Sequence, residues 1–217
     1  MRTLWTYNII LTVVVCFLLL KTFNNPQIIR VQGIIIEDAS GNERILIGAP
    51  IPYAKNRIRT DTSRVKEEWG RFFPENYLDY YKNYNHNTDG ILILDENGHD
   101  RLALGSSVPD PNIGPRIGSA NGIILNDYRG FERSGYSLIN VNGRDRVVIG
   151  LDNLNGTEGV SIGLFEDGTA GMTIGGQDKS IFLGKADSTY GYDGNKHFNG
   201  LRIQQTDTDE IILNSEN

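Results

Sequence analysis

The chain has one cysteine, seven prolines and three histidines among its 217 residues. Cys16 stands alone, which excludes an intrachain disulfide and a thiolate metal site. The few prolines, with no Gly-X-Y period, exclude collagen and Pro-rich disorder. His86, His99 and His197 lack the HxH or HExxH spacing that zinc sites use, so neither a metal nor a cofactor is expected.

Basic residues are in the minority, with 21 Lys and Arg against 27 Asp and Glu. Without Arg2 and Lys21, which flank the N-terminal apolar run, 19 basic residues face 27 acidic ones and the net charge is −8. No stretch resembles the basic stripe that binds phosphate backbones. Nucleic acid is therefore not expected as a partner.

Recognisable catalytic motifs are also missing. Gly171–Gly176 is not followed by Lys-Ser/Thr at P-loop spacing, and no GxSxG is present. The acidic turns lack the bidentate Glu of an EF-hand loop. Carboxylates such as Asp79 and Asp89 could serve a glycosidase, but nothing in the sequence brings two of them together.

One long apolar run, Leu4–Leu20, carries no charged residue and is 17 residues long, at the short end for a membrane helix. Arg2 before it and Lys21 after it slightly favour a cytoplasmic N-terminus. A cleaved signal peptide needs a small-x-small site after the apolar run, and the sequence has none there. In a lipoprotein signal the apolar run ends at the cysteine, whereas Cys16 lies inside the run. The favoured interpretation is an uncleaved signal anchor over residues 1–21.

The rest of the chain divides into a juxtamembrane linker, 22–32, and an ectodomain, 33–217, expected in the periplasm or outside the cell. Glycine is abundant, at 25 residues, which is typical of turns between short strands.

Sixteen residues from Gly33 to Gly48 align without a gap to Gly90–Gly105. A third copy begins at Gly122 but lacks the closing apolar-Gly, a fourth runs from Gly135 to Gly150, and a looser one begins at Gly159. The shared pattern is G-h-x-h-x-[DN]-x-x-G-x-[DE]-R-h-x-h-G, where h is apolar. Its turn positions are Asp38, Gly41 and Arg44; Asp95, Gly98 and Arg101; Asp127, Gly130 and Arg133; Asn140, Gly143 and Arg146.

The pattern predicts a β-hairpin. The Asp or Asn that opens the turn can accept a hydrogen bond from the backbone two residues on. The Gly three positions later supplies the positive φ that closes a type I turn with a bulge, as expected at Gly41, Gly98 and Gly143. The Arg lies within cross-strand reach of the acidic residue. Ion pairs are therefore predicted for Asp38–Arg44, Asp95–Arg101 and Asp127–Arg133.

The predicted fold class is all-β: an array of repeated β-hairpins forming stacked or rolled, solenoid-like sheets, with an N-terminal transmembrane helix and a short helical insertion. Strands that are apolar at every position, such as Ile34–Ile36 and Ile91–Leu94, are expected to be covered on both faces. Strands are predicted at 34–37, 44–47, 91–94, 101–104, 123–126, 136–140, 146–149, 160–164, 172–174, 181–183 and 201–205.

These Asp-x-x-Gly-x-x-Arg hairpins behind an apolar helix resemble a loose group of uncharacterised bacterial membrane-anchored and exported proteins. The resemblance covers roughly residues 30–175. It implies a fold and a location, and no activity.

Residues 49–89 form an insertion between the first two copies. Asp61-Thr62-Ser63 is predicted to cap a helix that ends at Gly70, and Pro74 to begin a second helix. The aromatic residues here either pack onto the sheet as a lid or form an exposed surface for a glycan or a protein. The candidate binding residues are Trp69, Phe72, Phe73, Tyr77, Tyr81 and Tyr84.

Two functions are consistent with these features. The favoured one is a non-catalytic envelope or cell-surface module that binds a protein or glycan, or assembles with copies of itself. The alternative is an envelope glycan hydrolase whose carboxylates are brought together by the fold.

Overall fold

The computed structural model describes residues 1–23, 28–72, 74–109, 120–175, 179–186, 198–205 and 208–214. The chain divides into two compact units, Met1–Gln32 and Gly33–Asn217. The first contains helix α1, Arg2–Phe23. Its segment Arg2–Lys21 is long and apolar enough to cross a membrane, and a signal sequence near the N-terminus has the same properties.

Among the described residues, the second unit contains a twelve-stranded antiparallel sheet in which each strand pairs with the next along the chain. The strands are β1 Gly33–Glu37, β2 Glu43–Gly48, β3 Asp89–Leu94, β4 Asp100–Ser106, β5 Ala120–Asn126, β6 Glu132–Val141, β7 Arg144–Asp152, β8 Glu158–Leu164, β9 Ala170–Gly175, β10 Lys179–Ala186, β11 Phe198–Gln205 and β12 Thr208–Asn214. Every predicted strand is present, and β12 is additional. The all-β, antiparallel character is therefore confirmed.

The insertion between β2 and β3 is helical in part. It contains a 3₁₀ turn at Ile58–Thr60, helix α2 at Thr62–Trp69, a second 3₁₀ turn at Gly70–Phe72 and helix α3 at Tyr77–Tyr81. The Asp61 carboxylate caps α2 by accepting hydrogen bonds from the N–H groups of Ser63 and Arg64. The predicted start and end of α2 are both confirmed.

The insertion packs on one side of the sheet, which we call the insertion face. In an antiparallel pair, directly opposed residues point to the same side. Leu46, Leu92, Ala103 and Ile124 oppose one another across β2–β5. They form a buried core together with Ile51 and Ala54 of the insertion and with Leu94 and Val108. A second core lies within the insertion and contains Ile58, Val65, Trp69, Tyr77 and Tyr81.

The prediction that fully apolar strands are covered on both faces is wrong for β1. Ile34, Ile35 and Ile36 have exposed fractions of 43%, 42% and 45%. In β3, Leu92 is buried on the insertion face, while its neighbours Ile91 and Ile93 point to the opposite face and are only half-buried. Apolar residues occupy both faces of these strands, but the insertion covers one face.

Candidate functional site

The turns that open with aspartate have the predicted geometry. The carboxylates of Asp38, Asp95 and Asp127 each accept a hydrogen bond from the backbone N–H two residues on, at 2.9, 2.9 and 2.8 Å. Three residues after each aspartate is a glycine with φ between +80° and +88°. Its N–H donates to the aspartate's carbonyl oxygen at 3.0–3.1 Å. This turn chemistry is confirmed at all three places.

The turn at Gly143 is different from the predicted one. Val141 pairs directly with Arg144, so only Asn142 and Gly143 form the turn, with φ of +52° and +81°. Asn140 lies inside β6 and its side-chain oxygen accepts from the Gly143 N–H at 3.1 Å. The positive φ at Gly143 is confirmed, but the type I turn with a bulge is wrong here, because Asn-Gly favours a two-residue type I′ turn.

Two of the three predicted ion pairs are present. Arg44 Nη1 lies 3.3 Å from Asp38 Oδ2, and Arg101 Nη1 lies 3.8 Å from Asp95 Oδ2. Both arginines are partly exposed to solvent, so each pair contributes little to stability.

The third predicted pair, Asp127–Arg133, is wrong. Asp127 is instead bound by Arg129, whose Nη2 lies 2.6 Å from Oδ2. Arg129 lies within the turn, two residues after Asp127, and is therefore nearer to the carboxylate in sequence than Arg133. Arg133 Nε donates to the carbonyl oxygen of Asp152 at 2.9 Å.

This last contact is shared by two of the other three arginines at the same position of the pattern, whereas Arg146 donates to the carboxylate of Glu166. Arg44 Nε donates to the Leu94 carbonyl oxygen at 3.0 Å, and Arg101 Nε to that of Asn126 at 3.2 Å. Each acceptor is the final residue of the next strand along the sheet. The arginines therefore connect one pair of strands to the following one.

The candidate aromatic residues do not form one exposed surface. Trp69, Tyr77 and Tyr81 are buried, which corrects the exposed-surface interpretation for these three. Phe72 is half-exposed and packs edge-to-face on Phe131 at 5.6 Å between ring centroids. Tyr84 is half-buried with its ring 5.2 Å from that of His86, and Phe73 lies outside the described residues. The lid interpretation fits the three buried rings.

A buried arginine, Arg57, attaches the insertion to the sheet. Arg57 Nε and Nη2 donate to the two oxygens of Asp100 in β4, at 2.8 and 2.6 Å. Burial opposes ionisation of Asp100, but Arg57 offsets it and holds the pKa of that carboxyl below its usual value. Arg59 is equally buried. The sequence shows these arginines only as a basic, irregular segment, since their partners are distant along the chain.

His86 completes this network as a neutral ring. Its Nε2 lies 2.8 Å from the carbonyl oxygen of Tyr81, and Nδ1 accepts from Arg59 Nε at 3.2 Å. Donation by Nε2 is the tautomer that satisfies both contacts. Burial and the nearby Arg59 cation lower the pKa of His86 to about 4. The imidazole therefore serves as an uncharged hydrogen-bonding link at neutral pH.

The face opposite the insertion carries two continuous rows of side chains, one residue per strand from β1 to β11, that are apolar at every position except Ser134. We call it the apolar face. One row is Ile36, Ile45, Ile93, Leu102, Leu125, Ser134, Leu151, Val160, Ile174, Ile181 and Ile203; the other is Ile34, Ile47, Ile91, Leu104, Ile123, Tyr136, Ile149, Ile162, Met172, Leu183 and Leu201.

Twenty of these 22 positions are Ile, Leu, Val or Met, and none is acidic or basic. Twelve of them have exposed fractions between 38% and 52%, and the other ten are half-buried. Singly exposed apolar residues are normal on protein surfaces, whereas a contiguous patch marks an interaction site. The apolar face is the strongest candidate functional feature of the described chain.

A cavity of about 230 Å³ lies among strands β6–β10, and its lining includes Arg146, Glu158 and Ser161. Partial burial and the cross-strand neighbour Asp152 raise the pKa of Glu158. Arg146 donates to both carboxylate oxygens of Glu166, at 2.9 and 2.7 Å. Of the described residues that line the cavity, Glu158 alone carries a carboxylate.

Within the described ranges, no group of three or more His, Cys, Asp or Glu side chains is arranged to hold a metal ion. Comparison of the chain with protein-family models, curated proteins and solved structures finds no match. Evidence for the function therefore comes from the two faces of the sheet.

Proposed function

We propose that this chain is a non-catalytic module of the cell envelope or cell surface that acts by binding another macromolecule through its apolar face. The observation that carries the proposal is the pair of apolar rows that run uncharged across eleven strands and stay solvent-accessible. Such a surface gains free energy when it is removed from water. Glycan recognition needs hydrogen-bonding groups beside aromatic rings, so a protein surface fits the rows better.

The proposal includes a location. The helix α1 serves as an uncleaved signal anchor with its N-terminus in the cytoplasm and residues 33–217 in the periplasm or outside the cell. The absence of a small-x-small site after Leu20 and the position of Arg2 before the run support it. The sheet is an array of repeated hairpins that extends in one direction, in a solenoid-like manner.

The alternative of an envelope glycan hydrolase gains no supporting observation. Such enzymes place two carboxyl groups about 5–10 Å apart across the scissile bond. The cavity among β6–β10 offers Glu158, while Glu166 nearby is held by Arg146. A binding module therefore remains the function that the geometry favours.

The test asks whether the apolar face is covered in native membranes. Cys16 is replaced by Ser, and one new cysteine is placed on the face by Ile149→Cys or in the exposed β7–β8 turn by Leu154→Cys. Leu154 is the matched control because it is apolar, is 68% exposed and lies outside both rows. The measurement is the rate of maleimide labelling in native membranes, normalised to the same variant in denaturant.

We expect Ile149→Cys to react more than about tenfold slower than Leu154→Cys, which corresponds to about 1.4 kcal/mol of protection. The control should react freely. Equal normalised rates for the two variants would show an uncovered face and overturn the proposed function.

A further inference from the structure

We infer that the apolar face is covered by the same face of a second copy of this chain, so that two ectodomains pack sheet against sheet. This inference rests on the proposed function, because it names the partner of the same surface. The stacked sheets expected from the fully apolar strands then form between two chains.

The size of the face matches what a specific dimer requires. Neighbouring strands lie about 4.8 Å apart and two rows occupy roughly 13 Å along each strand, so eleven strands present on the order of 600 Å². Two such faces bury about 1,200 Å² in total, the lower end of specific protein interfaces. Monomeric proteins seldom expose a contiguous apolar patch of more than about 600 Å².

The chemistry of the face suits a copy of itself. A two-fold interface places the same patch on both partners, so the patch must be self-complementary. The rows satisfy this condition because they carry no charge, and their only polar side-chain groups are the hydroxyls of Ser134 and Tyr136, which can both donate and accept. The acidic excess of the ectodomain lies outside the rows, so two like-charged copies can approach without burying a charge. Apolar sheets pack in this way at about 10 Å separation.

With α1 as the anchor, two copies in one membrane meet at a high effective concentration.

The test uses the full chain in native membranes. In a Cys16→Ser background, Ser134→Cys places a thiol in the central strand β6 on the apolar face, and Leu154→Cys is again the control. A short bis-maleimide should link Ser134→Cys chains into a species of twice the 24.2 kDa chain mass, and should leave Leu154→Cys chains unlinked. Each chain then carries one thiol, so no link can form within a chain, and a product of twice the chain mass identifies a second copy as the partner.

A second set of variants tests the surface itself. Ile149→Asp and Ile162→Asp place charge on two exposed row positions, and Leu154→Asp places the same charge outside the rows. The first two should abolish the crosslink through Ser134→Cys with an unchanged far-UV spectrum, and the third should preserve it. A crosslink that survives both row substitutions would mean contact through another surface and would overturn the inference.

The outcomes separate this inference from the proposed function. If no crosslink forms while Ile149→Cys stays protected in native membranes, another molecule covers the face: the second copy is wrong and the binding function stands. If no crosslink forms and Ile149→Cys labels as fast as Leu154→Cys, both are wrong.

Discussion

Gly41 and Gly98 hold the same place in their turns and nearly the same φ, +83° and +88°, but their surroundings differ. A Cβ on Gly41 would meet no atom within 4 Å, whereas a Cβ on Gly98 would collide with the carbonyl oxygen of Asn56 in the insertion. Gly41→Val should cost about 1–2 kcal/mol of unfolding free energy, from the left-handed backbone alone. Gly98→Val should cost more, because the insertion must also move.

Denaturant unfolding of the full chain measures both changes. Gly143→Val is the control, since Gly143 also has positive φ and open surroundings, and it should resemble Gly41→Val. Equal losses at Gly41 and Gly98 would contradict the collision with Asn56.

The turns show what the sequence can predict for single residues. Asp38 and Gly41 make their turn contacts within five residues of the chain, so local turn chemistry was sufficient to predict this turn. The acceptor of Arg133 is a backbone carbonyl on another strand, and a carbonyl has no sequence signature. The buried pair Arg57–Asp100 could not be predicted either, because its two residues are 43 positions apart in the chain.

The stability of the insertion depends on the buried polar network that includes His86. The unfolded chain binds a proton at His86 below about pH 6.5, but the folded chain binds it only below about pH 4. Because the unfolded state binds more protons between these values, the free energy of unfolding should fall as the pH falls from about 6.5 to 4. The loss should be on the order of 2 kcal/mol, after allowance for partial solvent exposure.

The matched variant is His86→Gln, whose amide can donate to the Tyr81 carbonyl and accept from Arg59 but does not titrate. Denaturant unfolding at several pH values should show a smaller loss for the variant from pH 6.5 to 4, because the carboxyl groups that titrate near pH 4 contribute equally in both proteins. The Asp100 carboxyl, with its lowered pKa, loses its ion pair only at more acidic pH. Parallel losses in the two proteins across this window would contradict the role of His86.

Helix α2 and the insertion aromatics differ in how far the sequence could predict them. The two ends of α2 could be predicted because the residues directly before and after it are a capping aspartate and a glycine. The burial of Trp69 follows from a distant contact, the hydrogen bond from its Nε1 to the Arg129 carbonyl oxygen at 2.8 Å. An aromatic cluster read from sequence is compatible with either a lid or a binding surface, because only tertiary contacts distinguish them.

For the whole molecule, the apolar pattern predicted the strands but not what covers them. Ile91, Leu92 and Ile93 are consecutive apolar residues, and this pattern favours cover on both faces of the strand. The insertion supplies that cover over Leu92 only. A pattern within one chain does not specify whether the second cover comes from the same chain or from another, so the expected stacked sheets could not be assigned to a single molecule.

The fate of the N-terminal helix can be measured with the single cysteine. Cys16 lies within α1, and no other cysteine exists in the chain. If α1 is an uncleaved anchor, the membrane-extracted and denatured protein should titrate one thiol per chain. A cleaved signal sequence would remove Cys16, so a mature chain without a thiol would contradict the anchor.

Protease added to intact spheroplasts of a bacterial host should digest residues 33–217 while a cytoplasmic marker survives, because the arginine before the run favours a cytoplasmic N-terminus. Protection of the ectodomain until lysis would reverse the orientation.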